Sequence, residues 1–195
     1  MYLLNDLADV SPASRDSIET RLQITHVCNV CSTSTSRTEK ELILTVPVAP
    51  TVGQAISLHT ADEILTGANR RKCEKCGSLQ ETTRETRITH APVSLIVQMQ
   101  RFPNDANGII TRDFSVVKVF PDILHVKAIA DGLVVNHAYN LRATVNHRGT
   151  LSSGHYWSHV ALTKSTWLKC DDIHVGEMKR RSLNNDSSYL FFFSR

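Results

Sequence analysis

Apolar and polar residues alternate along much of the chain at the two-residue period of a half-buried strand. Residues 20–26 do so, with Leu22 and Ile24 on one side, and lead into a pair of cysteines. Residues 41–48 read as another strand, closed by Pro47 and Pro50, and residues 52–58 as a short helix behind Thr51 as N-cap. Residues 82–88 form a further strand pattern. After Pro92 comes the β-rich run Val93-Ser94-Leu95-Ile96-Val97-Gln98-Met99, which ends in Gln100-Arg101-Phe102. The rest of the chain consists of short β-rich runs separated by turn signals such as Asn107-Gly108, Asp131-Gly132 and Arg148-Gly149. The closing run, Tyr189-Leu190-Phe191-Phe192-Phe193, is wholly apolar and aromatic. It reads as a strand buried on both faces, or as an aggregation-prone edge if a neighbour is missing. The apolar opening, residues 2–10, resembles the last turns of an amphipathic helix that is too short to be stable alone. These patterns predict an α+β, strand-dominant fold without internal repeats.

Composition narrows the class. At 195 residues, 41% hydrophobic and 21% charged, the chain predicts a soluble globular protein of one domain, or of one domain with a small appended module, with enough apolar residues for a core. A net charge of +3, spread along the sequence, gives no reason to expect nucleic acid as a partner. No apolar run reaches the roughly 18 residues of a membrane span, and the first residues carry no secretory signal, so an intracellular protein is expected.

Four of the five cysteines fall in two equally spaced pairs, Cys28-Asn29-Val30-Cys31 and Cys73-Glu74-Lys75-Cys76. Two-residue spacing lets both thiolates of a pair face one point, which predicts a single structural zinc ion held by four sulfurs. Ordinary free thiols are the alternative, and the duplicated spacing argues against it. The basic run Arg70-Arg71-Lys72 ahead of the second pair reads as a solvated knuckle face.

A nucleophile-activating site can be drawn from the last 60 or so residues. Gly154-His155-Tyr156 opens an alternating run. Trp167-Leu168-Lys169-Cys170-Asp171-Asp172 is a strand ending in paired carboxylates, and residues 139–145 form a strand feeding His147. A hairpin between the first two strands would set Asp171 beside His155, where it can fix the tautomer and orientation of the ring. The competing reading is ordinary: one of nine histidines beside a glycine, and an Asp-Asp pair of the kind common in turns. Cys170 adjoins Asp171, and neighbouring strand residues face opposite ways, so it is expected to point away from His155.

The order of these features resembles the ubiquitin-specific cysteine proteases. Tyr139-x-Leu141, His147-x-Gly149, Gly154-His155-Tyr156, Trp167 with Asp171-Asp172, and the closing aromatic run are similar to that family's His box. The two Cys pairs resemble its zinc fingers, Val97-x-Met99-x-Arg101-Phe102 its strand ending in Leu-x-Arg-Phe, and residues 2–7 the helix before the fingers. The resemblance implies a papain-like palm (about residues 91–195) carrying a zinc-ribbon fingers subdomain (about 20–90), with the N-terminal thumb largely missing. It implies His155 as general base, Asp171 as its orienting residue, Asp172 as an adjacent polar group, Gly154 lining the channel for ubiquitin's Gly-Gly tail, and Tyr156 packed behind the site. Cys28, Cys31, Cys73 and Cys76 would hold the zinc. Ubiquitin and ubiquitylated proteins would be the partners, and the chemistry thiolate attack on an isopeptide carbonyl. Two departures accompany it: Arg71 and Lys72 stand where the family has aromatic residues, and the family's Cys box has no counterpart. The expectations are therefore a deubiquitinase domain inactive without a complementary Cys-box segment, or a ubiquitin-binding pseudoenzyme. A zinc-ribbon interaction or nucleic-acid protein is the third reading, favoured only by the Arg70-Arg71-Lys72 run.

Overall fold

In the computed structural model, residues 11–105, 107–119, 123–163 and 165–195 are described; the helix expected at residues 2–10 lies outside them. Helix α1 (Pro12–Ile18) is capped by the Ser11 side chain, which accepts a hydrogen bond from the Ser14 amide at 3.1 Å. Seven residues show too little apolar period to be read from sequence. The buried Glu19 follows, held by Arg15 Nε at 2.7 Å and Arg21 Nε at 3.0 Å. Burial opposes ionisation there, but the two guanidinium groups outweigh it and keep the carboxyl below its ordinary range.

Strand β1 (Thr20–Cys28) pairs antiparallel with β2 (Ser34–Glu41) on one side. Across a short irregular stretch, β3 (Leu44–Val46) and helix α2 (Val52–His59) come next, followed by β4 (Glu63–Leu65), β5 (Arg71–Cys73), β6 (Ser78–Gln80) and β7 (Thr82–His90). The order β2-β1-β7-β4 makes a four-stranded sheet, and β5 and β6 form a separate small hairpin. Strand β2 carries no apolar pattern because none of its eight residues is apolar; its charges suit an exposed sheet edge. The strand expected over residues 41–48 divides: Glu41 closes β2, and only residues 44–46 form β3, with Leu44 and Val46 fully buried. Helix α2 starts behind Thr51 as expected, whose hydroxyl accepts from the Gln54 amide at 3.2 Å.

The larger sheet adds β8 (Ser94–Met99), β9 (Ile123–Ala130), β10 (Leu133–Gly149), β11 (Gly154–Ala161), β12 (Trp167–Asp171), β13 (His174–Met178) and β14 (Ser188–Ser194). Its order is β13-β12-β11-β10-β14-β8-β3, with β9 also paired to β10. All these pairings are antiparallel except that of β3 with β8. The aromatic closing run is an interior strand, β14, between β10 and β8. Phe191 and Phe193 enter the core, whereas Tyr189, Leu190 and Phe192 are half-buried, so the run is not an open edge. Strand β13 escaped sequence reading because it lies at a sheet edge and most of it is exposed.

Two buried polar arrangements fix the large sheet. The Arg101 guanidinium, fully buried, donates to the carbonyls of Ser188 (2.7 Å), Asp113 (2.9 Å) and Ser115 (3.0 Å), tying the end of β8 to the start of β14. Buried His159 accepts at Nε2 from the Trp157 indole (3.2 Å) and faces Thr144 Oγ1 through Nδ1 (3.2 Å). An indole nitrogen only donates, so Nε2 must be bare and the proton of the neutral ring sits on Nδ1.

Two outcomes follow from this packing. Phe191→Ala should lower unfolding stability by about 3–5 kcal/mol, and Ile173→Ala by less than about 0.5, because Phe191 is fully buried and Ile173 is 90% exposed; chemical denaturation measures both. The second outcome concerns acid. Burial foremost, then the Lys169 charge, depresses the His159 ring to about 4, whereas an unfolded histidine protonates near 6.5. As pH falls through that window the unfolded chain binds the proton first, so the stability present above about 6.5 declines until about 4, by about 3 kcal/mol in order of magnitude. His159→Gln should flatten the measured slope by about one proton.

Candidate active site and metal centre

The antiparallel register sets which side chains share a face. Strands β10 and β11 pair Arg148 with His155, His147 with Tyr156, Asn146 with Trp157 and Thr144 with His159. Strand β12 pairs Lys169 with His159 and Cys170 with Ser158. His155, Trp157, Lys169 and Asp171 therefore line one face together with Arg148, around an open depression. Asp171 Oδ1 lies 2.5 Å from His155 Nε2, as the expected hairpin requires, and His155 Nδ1 makes no hydrogen bond among the described residues. An Asp carboxylate on Nε2 holds the proton on that nitrogen and leaves Nδ1 as the basic one. Asp171 is held below its ordinary range first by Lys169 and then by His155. Asp172 begins the β12–β13 turn with φ 51, and its carboxylate joins the His155–Asp171 group within 4.8 Å.

Cys170 alternates away from this face, as expected, with Ser158 and Val175 as cross-strand neighbours. The other four cysteines lie in the cysteine cluster, so no thiol of the chain stands beside His155.

Gly154 and Tyr156 occupy different surroundings. Gly154 pairs with Gly149, and a Cβ at Gly154 would run into the His147 ring and the Arg148 carbonyl. Glycine is what lets that ring lie on the hairpin backbone. Tyr156 is half exposed on the opposite face from His155, with its ring centroid 4.5 Å from that of His147. Arg112 completes this side: it reaches His147 Nδ1 (2.8 Å) and the His147 carbonyl (2.6 Å), and its guanidinium lies over the Phe102 and Phe114 rings. Burial, then the Arg112 charge, lowers the His147 ring below its ordinary value.

Sequence reasoning missed Trp157, Lys169 and Arg112. The period of two, already used to turn Cys170 away, also puts Trp157 beside His155 and Lys169 beside Asp171. For Arg112 no signal existed, because it reaches the site from a loop.

The second cluster is built from two matching turns. Cys28 ends β1 and Cys73 ends β5, and each chain then turns through its second cysteine into a left-handed residue, Ser32 (φ 57) or Gly77 (φ 69). The Ser32 amide bonds the Cys28 carbonyl and the Gly77 amide the Cys73 carbonyl, both at 2.9 Å. The sulfurs of Cys28 and Cys76 are 4.0 Å apart, those of Cys31 and Cys73 3.5 Å, and all four lie within 4.8 Å of one another. The Thr33 hydroxyl and amide bring the Cys31 thiol down to about 6, and the Cys31 sulfur beside it pushes Cys76 up to about 12. One thiolate forms readily and the next is opposed, a charge pattern that a divalent cation relieves. These four residues can hold a metal ion. Arg70, Arg71 and Lys72 are exposed beside the cluster, as expected; Arg71 reaches back to the buried His26 at 3.2 Å.

Comparison with known proteins gives the geometry its family context. "Ubiquitin carboxyl-terminal hydrolase 17" of Arabidopsis thaliana is 29% identical over 176 residues, covering 86% of this chain and 24% of that protein. The Drosophila melanogaster hydrolase "nonstop" is 29% identical over 148 residues (74% of this chain, 29% of that protein), and human hydrolase 22 is 27% identical over 161 (74% and 30%). The chain thus spans less than a third of the length of these curated relatives. Among solved structures, a chain of the SAGA Ubp8/Sgf11/Sus1/Sgf73 DUB module bound to ubiquitin aldehyde superposes with a TM-score of 0.79 at 22% identity, over 99% of this chain and 45% of that one. A yeast SAGA DUB module chain gives 0.80 at 22%, over 92% and 41%. At that identity the likeness establishes the strand-dominant α+β fold. The sequence model of the ubiquitin carboxyl-terminal hydrolase family matches residues 4–193, nearly the whole chain, and this protein belongs to that family.

Proposed function

We propose that the chain is the His-box and fingers portion of a deubiquitinase-type thiol hydrolase, acting on bonds at the C-terminus of ubiquitin. The observation that carries this reading is the contact of His155 Nε2 with Asp171 Oδ1, which leaves Nδ1 as the basic nitrogen in a chain of this family. In that role His155 takes the proton of an attacking thiol and returns it to the leaving amine, while Asp171 fixes the tautomer and stabilises the imidazolium. Gly154, whose backbone closely approaches His147, lines the passage for ubiquitin's C-terminal tail, and Tyr156 buttresses it from the opposite face. Ubiquitin and ubiquitylated proteins are the partners, in an intracellular setting. Fingers and palm divide at about residue 90.

The 195 residues bring no thiol to His155, so the nucleophile comes from a complementary Cys-box segment. Without that segment, the same observation favours a second reading, a ubiquitin-binding module that does not hydrolyse.

Zinc is the metal that suits the four sulfurs. Zn–S bonds of about 2.3 Å in a tetrahedron set sulfurs about 3.8 Å apart, close to the 3.5 and 4.0 Å found. Four thiolates close the coordination sphere, so the ion would join the β1–β2 and β5–β6 turns without taking part in hydrolysis.

Metal analysis should therefore return about one zinc per chain, lost when Cys28 and Cys76 are both changed to Ser; zinc-free, folded protein with four alkylatable thiols would refute the site. With a fluorogenic ubiquitin substrate the isolated chain should show no turnover. Adding a Cys-box segment should restore it, and His155→Ala should then lower it by about 10²–10⁴-fold, the scale of general-base catalysis. Ubiquitin binding with no turnover in any combination would leave the second reading standing. Hydrolysis by the isolated chain that Cys170→Ser abolishes would overturn the assignment of the missing nucleophile.

A further inference from the structure

Asp171 has a second partner. Its Oδ2 lies 2.6 Å from the Lys169 ammonium, while Oδ1 serves His155. Lys169 is two residues before Asp171 on β12, so both side chains share the face of His155. Its ammonium also lies 5.5 Å from the centroid of the Trp157 ring, and that ring stacks on His155 at 6.0 Å and 21°. Trp157 is itself anchored below by its bond to buried His159. The lysine thus sits on an aromatic plate whose position is fixed from the core, and it reaches the oxygen that the imidazole does not use.

We propose that Lys169 is a positioning residue for the His155–Asp171 pair. By occupying Oδ2 it commits Oδ1 to His155 Nε2, so that Nδ1 stays the basic nitrogen. The proposal rests on reading His155 as the base. A carboxylate with one free oxygen can turn about its own axis and offer either oxygen, or a bridging water, to the ring. A cation fixed on Oδ2 removes that freedom, and it keeps the carboxylate ionised at lower pH, consistent with Lys169 being the foremost cause of the Asp171 depression. The ionisable groups around the ring are Arg148 from β10, Lys169 and Asp171 from β12, Asp172 from the turn that follows and His174 from the start of β13. Of these, Lys169 forms the ion pair with Asp171, while His155 holds the other oxygen by its hydrogen bond.

The test is nuclear magnetic resonance on the full 195-residue chain, which needs no nucleophile. Titrating the Asp171 carboxyl carbon should show its midpoint rising in Lys169→Met, and rising less in His155→Ala. Nitrogen spectra of His155 should show the Nε2–H tautomer dominant in the wild type. Its excess over the Nδ1–H form should fall about three- to five-fold in Lys169→Met, the scale of a half-exposed ion pair. Lys169→Arg should restore both signals, since it replaces the cation and keeps the stacking. Lys169→Gln serves as a second neutral variant should the methionine variant fold poorly. An unchanged carboxyl midpoint and tautomer ratio in a folded neutral variant would overturn the proposal, whatever turnover is observed with a Cys-box segment. Failure of that complemented turnover would instead count against the functional reading, leaving Lys169 to be judged by the spectra.

Discussion

The antiparallel register between β10 and β11 is the constraint on which the site depends. Because side chains alternate, a slip of one residue would carry His155, Trp157 and His159 to the opposite face, and with them every contact to β12. The register is held from below, not from the site. Asn146, Thr144 and His159 are buried polar residues that satisfy one another, and Ser188 Oγ donates to Asn146 Oδ1 at 3.1 Å from β14. A slipped pairing would bury those groups without partners, a penalty of about 1–3 kcal/mol for each. The polar core therefore specifies the geometry of the surface pair.

From that register one line of support runs outward. Core His159 orients Trp157, Trp157 carries both His155 and Lys169, and Lys169 and His155 take one oxygen each of Asp171. On the reverse face, Arg112 grips His147, whose ring lies against Gly154. His155 is thus braced through its side chain on one face and through the backbone of its preceding residue on the other. The exposed ends of this arrangement are half open to solvent, while its roots are not.

The cysteine cluster follows a different logic. Each turn is stabilised locally by an amide bonding back to the first cysteine's carbonyl, and the two turns come from hairpins that do not pair with each other. The Arg71–His26 contact and the bond of the Asn29 amide to the Glu81 carbonyl link the two regions, and a cation between the sulfurs would add a further tie. Burial covers Cys28 and Cys73 there, but Cys31 and Cys76 only partly.

How much of this was legible in the sequence varied with the kind of information needed. Alternation at period two sufficed for β1, β-rich runs for β7, β8 and β14, and the duplicated Cys spacing for the cysteine cluster, because strand patterns and short turns are local matters. Alternation also turned Cys170 away from His155, and the motif order brought His155 and Asp171 to one hairpin. Strand β2 stayed invisible because an exposed edge needs no apolar residue, and β3 shrank because only Leu44 and Val46 find a neighbour to be buried against. Whether the aromatic run of β14 was an edge or an interior strand depended on pairing partners at residues 94–98 and 140–146, far away in the chain. The contacts of Arg112 likewise emerged only in three dimensions. A charged side chain carries no periodicity of its own, and its partner is chosen by which strands the fold lays side by side.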